Sequence, residues 1–141
     1  CEPELRQKVE QLGLRNSVFF LPRIPFAELH EFTCSADLGL CLIKNSGKSF
    51  FYSMPNKLFE YFMAALPVVA SDFPEMGPVV RESGAGILAD PMDPAAVAAQ
   101  INLLISDTKR MARCAEAARV AARTYSWEHE LEKLTALYAR M

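Results

Sequence analysis

Asn56, Lys57 and Glu60 recur at spacings of three and four residues within the run Ser53-Met-Pro-Asn-Lys-Leu-Phe-Glu-Tyr-Phe-Met-Ala-Ala65. At roughly 100° per residue, a helix from Met54 to Ala65 puts Leu58, Phe59, Phe62 and Met63 on one broad apolar face, which is assigned to the core. The three polar groups then share the opposite side, within reach of one another. The helix start carries free backbone N–H groups and a partial positive charge of roughly half a unit. Pro55 near the first turn loses nothing by lacking an N–H. Such a start favours a diphosphate, and Lys57 adds a full positive charge to it. Glu60, one turn further in, can accept hydrogen bonds from sugar hydroxyls. A second reading stands beside this one: Lys57 and Glu60 form a solvated ion pair worth roughly a few tenths of a kcal/mol.

Other reactive residue types offer less. Lys44 and Lys48 stand in a polar loop with Asn45, Ser46, Gly47 and Ser49; it reads either as a phosphate-contacting loop or as a mobile solvated one, and Gly and Ser favour the latter. Asp72 followed by Glu75 has capping-box spacing. His30 and His129 lie in helical stretches with no third group spaced for a triad and are read as surface residues. The cysteines, Cys1, Cys34, Cys41 and Cys114, form no C-x-x-C pair. Cys34 and Cys41 sit among apolar residues and read as buried free thiols, which suits a reducing compartment. Trp127, after Ser126 at a helix start, reads as an anchor against the domain.

The elements that position these residues follow from periodicity. Helices are expected at Pro3–Leu14, Pro25–Cys34, Met54–Ala65, Pro94–Ile105, Thr108–Arg123 and Trp127–Met141, with one short helix after Asp72. In the second, Phe26, Leu29 and Phe32 carry the apolar stripe. Short apolar strands are expected at Ser17–Leu21, Ala36–Ile43, Leu66–Ala70 and Gly86–Ala89. Strands alternating with amphipathic helices predict an α/β domain, a Rossmann-like parallel sheet with helices on both faces. Ligands bind such sheets beyond the carboxyl ends of the strands, which points to the loops after Ile43 and Ala70. The 141 residues fit one domain, 51% hydrophobic and able to build a core. A net charge of −2 without a basic cluster argues against a nucleic-acid partner. No signal peptide and no apolar run near membrane-spanning length is present.

The run Tyr52-Ser-Met-Pro-Asn-Lys-Leu-Phe-Glu-Tyr-Phe-Met-Ala-Ala-Leu-Pro-Val-Val-Ala-Ser-Asp-Phe-Pro-Glu75 resembles the family-4 glycosyltransferases of the GT-B fold. Val18-Phe-Phe-Leu21, Gly84-Ala-Gly-Ile-Leu-Ala-Asp-Pro91 and Tyr125-Ser-Trp-Glu128 fit the same domain in the same order, so the resemblance covers nearly the whole chain. It implies that residues 1–141 are part of the C-terminal nucleotide-sugar-binding domain of a GT-B enzyme. The second glutamate of the family's E-x7-E motif, which holds ribose hydroxyls, matches Glu60. The first, which commonly contacts the donor sugar, would fall at Tyr52; the branch that this sequence resembles often lacks that acid. Tyr52, Ser53, Pro55, Asn56, Lys57 and Glu60 therefore form the candidate donor site. Arg23 and Ile24 match a turn that approaches the nucleotide base, although Pro22 stands where the family usually has Gly. Ala65 stands where the helix normally ends in Gly; a left-handed conformation there suits Ala poorly.

The resemblance further implies a retaining hexosyltransferase of polysaccharide biosynthesis, moving sugar from a nucleotide-diphosphate donor to a glycan or lipid-linked acceptor. The alternative is a non-catalytic nucleotide-binding or assembly module of the same half-fold. No cofactor is expected, the nucleotide sugar being a substrate, and no metal requirement is evident. The expected location is cytoplasmic, peripheral at the inner membrane face where the acceptor is lipid-linked. The first residue is Cys1 rather than Met, and the first strands and basic turn of the family's domain have no counterpart here. An N-terminal truncation is thus expected, leaving Val18–Leu21 without an inner neighbour. The fragment is expected to be marginally stable, to self-associate and to lack transferase activity alone.

Overall fold

The computed structural model describes residues 2–140. Cys1 and the expected last helical residue, Met141, lie outside them. In chain order the described residues form α1 (Glu2–Gln11), α2 (Phe26–Cys34), β1 (Gly39–Cys41), α3 (Lys48–Phe51), α4 (Asn56–Met63), β2 (Val68–Ser71), α5 (Met76–Ser83), β3 (Gly86–Ala89), α6 (Pro94–Ser106), α7 (Thr108–Thr124) and α8 (Trp127–Tyr138). The strands make one parallel sheet in the order β1-β2-β3.

β2 is the central strand, and all four of its residues are buried. Its alternation divides the core into two layers. Val68 and Ala70 pack with Leu58 and Phe62 of α4, Met76 and Val80 of α5, and Ala118 and Ala121 of α7. Val69 points to the other face, where it meets Leu104 of α6 and Cys114 of α7. Helices therefore cover both faces, the arrangement that an apolar parallel strand requires. Gly86 lets β3 approach: a Cβ there would stand 2.1 Å from the Val68 carbonyl oxygen.

Local signals account for several boundaries. The Asp93 carboxylate caps α6 by accepting from the N–H groups of Ala95 and Ala96, with Pro94 as the first helical residue. Ser126 caps α8 by accepting from the His129 N–H. At the end of α4, the Leu66 N–H bonds the Tyr61 carbonyl and the Ala65 N–H bonds that of Phe62, a Schellman arrangement. It holds Ala65 at φ 54°, the one positive-φ residue other than Gly among those described. An L side chain is strained there by roughly 1–2 kcal/mol, partly offset by the greater freedom of Gly when unfolded. Ala65→Gly is expected to stabilise the fold by about 0.5–1 kcal/mol in urea denaturation, and a loss of stability would refute the strain.

Several sequence expectations are corrected. Val18–Leu21 is not a strand: no neighbouring strand among the described residues offers it a ladder, and Phe19 and Leu21 remain exposed. Phe20 instead lies beneath the Arg6 guanidinium of α1, 4.5 Å from ring centroid to Cζ. The loop from Lys44 to Ser53 contains a helical turn, α3. Asp72 does not cap α5; that helix starts at Met76, and the Asp72 carboxylate accepts from Arg81 Nη1 at 2.8 Å. Glu75 stands at the cap position itself and makes no side-chain cap bond. Met63 is 63% exposed because it lies roughly 100° round from Phe62, off the sheet-facing stripe. Cys34 is exposed because α2, which buries no residue, packs against α4 rather than the sheet; Phe26 and Phe32 of its expected stripe are exposed with it. Trp127 is also exposed, and α8 buries no residue, since other helices already cover both sheet faces.

Candidate functional site

α4 is the element that places the predicted polar cluster. Leu58 and Phe62, four residues apart, are fully buried against the sheet and fix the helix's rotation. Asn56 is consequently exposed and Glu60 half-buried on the outer side. Both line a groove of about 660 Å³ between α2, α4 and the start of α8, with apolar walls that include Phe26, Leu29, Phe59 and Trp127. Pro55 precedes the first turn in extended conformation and supplies no side-chain cap, while its carbonyl accepts from the Leu58 N–H at 3.1 Å. The N–H groups of Asn56 and Lys57 are thus left to solvent or to a ligand.

Lys57 is half-buried on a different side of α4. Burial pushes the Cys41 thiol up to about 11, and the Lys57 charge opposes that rise. No Lys57–Glu60 ion pair forms among the described residues. The solvated-pair reading therefore has no geometric support. Burial, then Cys41 and Glu60, raises the Tyr61 phenol, whose hydroxyl donates to the Leu40 carbonyl at 3.4 Å.

The segment leading into α4 is held from below. The Ser71 hydroxyl, fully buried at the end of β2, accepts from the Ile43 N–H at 2.8 Å and donates to the Ile43 carbonyl at 3.2 Å. The Phe51 ring lies 5.1 Å from that of Phe73 and 5.1 Å, in a T-shaped arrangement, from that of Tyr52. Ser53 Oγ donates to the Phe50 carbonyl at 2.7 Å. Tyr52 and Ser53 are thereby tied to α3. In the sequence Ser71 has one signal for this role, a hydroxyl closing a wholly apolar strand.

The remaining candidates are dispersed. Arg23 is exposed and Ile24 half-buried in an irregular stretch, and neither lines the groove beside Glu60. A second hollow, about 500 Å³, opens beyond the carboxyl ends of β2 and β3 between Asn45, Phe51, Asp72 and Asp90. The His30 ring Nε2 and Cys34 Sγ are 3.6 Å apart on exposed α2. Among the described residues no three His, Cys, Asp or Glu side chains are grouped to hold a metal ion. No helix among them is long and apolar enough to cross a membrane.

Comparison with known proteins agrees with this architecture. The chain is 30% identical over 141 aligned residues to the D-inositol 3-phosphate glycosyltransferase of Corynebacterium urealyticum, covering 95% of this chain and 30% of that relative. It is 31% identical over 139 residues to the protein of the same name from Thermomonospora curvata, covering 98% and 31%. The chain thus spans about a third of the length of these curated relatives. Among solved structures it superimposes on sucrose-phosphate synthase from Thermosynechococcus elongatus with a TM-score of 0.83 at 19% identity, covering 98% of this chain and 33% of that one. It superimposes on Anabaena HepE in complex with UDP with a TM-score of 0.82 at 23% identity, covering 99% and 36%. The fold is the Rossmann-like α/β fold of GT-B glycosyltransferases. Residues 2–121 match the family described as "Glycosyl transferases group 1", and the chain belongs to that family.

Proposed function

We propose that residues 1–141 supply part of the donor site of a retaining hexosyltransferase of the family-4 branch. The observation that carries this is the shared placement of Asn56 and Glu60 in one groove beside the uncapped first turn of α4. The donor diphosphate lies at that turn, where aligned N–H dipoles and the Lys57 charge stabilise it. Glu60 accepts from the ribose hydroxyls, and the apolar groove walls take the flat faces of the ligand. Tyr52, Ser53 and Pro55 border the diphosphate from the incoming segment, whereas Arg23 and Ile24 do not line this groove and could meet the base only beyond it. UDP bound to the structurally similar HepE supports a uridine nucleotide as the first probe.

In the reaction the bond from the anomeric carbon to the diphosphate oxygen breaks, and a bond to the acceptor oxygen forms on the same face. The acceptor hydroxyl's proton passes to the departing diphosphate, so no protein carboxylate pair is needed. The chain's contribution is positioning and electrostatic stabilisation of the leaving group. The acceptor, a glycan or lipid-linked sugar, is held outside this chain, and a cytoplasmic, membrane-peripheral setting fits it. Calorimetric titration of UDP and GDP into the full polypeptide tests the reading, with Glu60→Ala as the control. Absence of binding by either nucleotide rejects it.

Taken alone, residues 1–141 are expected to self-associate and to show no turnover. α8 leaves Trp127, Leu131, Leu134, Leu137 and Tyr138 exposed, and β1 pairs on one side only among the described residues. Open strand edges and apolar stripes of this kind recruit further chains. Sedimentation velocity showing a monomer that melts cooperatively contradicts the expectation.

A further inference from the structure

We propose that Ser71 is a positioning residue of the donor site, whose buried hydroxyl sets the course of the segment joining β1 to α4. The inference rests on the donor-site reading above. Backbone pairing between β1 and β2 ends at Cys41 and Ala70, while β2 continues one residue further against β3, where Ser71 pairs with Ala89. On the β1 side the Ser71 side chain takes over from the ladder. It holds both the N–H and the carbonyl of Ile43, two residues past the strand end.

Ser71 is the one buried polar side chain among the described residues, with 0% exposure. Water therefore has no ready route to replace its hydroxyl. Without it, the Ile43 N–H and carbonyl lose their bonds to Oγ unless the backbone shifts towards solvent. The shift is transmitted forward, because residues 44–50 are all exposed and offer little resistance. The next fixed point is Phe51 on Phe73, which also belongs to the exit of β2. Tyr52, Ser53, Pro55 and the open start of α4 follow directly. One strand exit thus anchors the segment at two points before it reaches the proposed diphosphate site.

The test compares UDP and GDP affinity of the full polypeptide carrying Ser71, Ser71→Ala or Ser71→Thr, together with hydrogen exchange at Ile43. Ser71→Ala is expected to weaken nucleotide binding about tenfold or more through misplacement of the segment, while Ser71→Thr, which keeps the hydroxyl, stays within about threefold. The Ile43 amide is expected to exchange slowly in the parent and fast in Ser71→Ala, with Val69 and Ala70 protected in both. Unchanged affinity in a folded Ser71→Ala protein overturns the proposal, as does an equal loss in both variants. If Ser71→Ala does not fold, the parent decides: slower Ile43 exchange on nucleotide binding supports the proposal, and unchanged exchange overturns it. A parent that binds neither nucleotide removes the donor-site reading and this inference with it. A binding parent with an indifferent Ser71→Ala removes the inference alone.

Discussion

Replacing Phe62 by alanine is expected to lower the unfolding free energy by about 3–5 kcal/mol, the range for truncating a buried aromatic ring. Phe62 is fully buried in the larger core layer, between Val68 and Ala70 of β2 and the small residues Ala118 and Ala121 of α7. Its ring centroid lies 6.3 Å from those of Phe59 and Tyr125. The side chain thus joins the site-bearing helix to the sheet and to α7 at one point. Alanine leaves a cavity that α4 cannot close, because the Schellman turn at Ala65 and the buried Leu58 hold both sides of it. A whole domain is typically stable by roughly 5–15 kcal/mol, so the loss leaves the fold marginal. Urea denaturation of Phe62→Ala beside Met63→Ala measures the contrast. Met63, 63% exposed, is expected to change stability by no more than about 0.5 kcal/mol. Equal losses in the two variants, or a larger one at Met63, contradict the assigned rotation of α4.

That rotation was only half legible in the sequence. Periodicity put Leu58, Phe59, Phe62 and Met63 on one face, and the structure buries Leu58 and Phe62 fully, Phe59 partly and Met63 little. A helix on a three-stranded sheet meets it along a narrow stripe, and the edge of a broad apolar face falls into the groove. β3 was readable to the residue, since Gly84 and Pro91 punctuate Gly86–Ala89. β2 was displaced by a residue or two because the apolar run carries the expected strand back through Leu66 and Pro67 and Ser71 looks like a turn residue, although Ser71 pairs with Ala89. Val18–Leu21 has strand composition, but a strand requires a neighbour and composition does not supply one. The Asp72–Glu75 spacing was misleading for a related reason. The Phe73 N–H bonds the Ser71 carbonyl and delays the helix, leaving the Asp72 carboxylate to Arg81.

The candidate site shows the same division. Asn56 and Glu60, one helical turn apart, could be placed on one face from spacing alone, and the structure puts both in one groove. Their groove could not be foreseen, because its other walls come from Phe26 and Leu29 of α2 and Trp127 of α8, far away in sequence. Ala65 stands where the resemblance has a helix-ending Gly, and its φ of 54° is the left-handed conformation that suits Ala poorly. Arg23 and Ile24 rested on resemblance alone, and the structure brings neither to the groove.

Glu60→Ala is expected to weaken UDP or GDP binding about ten- to a hundredfold, the effect of losing hydrogen bonds worth roughly 1.5–3 kcal/mol to a charged acceptor. The carboxylate is suited to that role because nothing else claims it: it is half-buried beside the groove and makes no ion pair among the described residues. The same isolation means that its removal leaves Leu58, Phe62 and the sheet untouched, so the thermal midpoint should hardly move. Binding and stability therefore separate at Glu60 where they fall together at Phe62. Glu60→Gln retains one acceptor oxygen without the charge and is expected to lie between parent and alanine. Lys57→Ala should differ in kind, because a charge beside a diphosphate acts through long-range attraction. Its loss is expected to weaken binding at low salt and to flatten the salt dependence. Calorimetric titrations at two ionic strengths resolve all three variants. An unchanged affinity in folded Glu60→Ala removes Glu60 from the ribose contact and leaves the α4 N-terminus, with Asn56 and Lys57, to support the donor site.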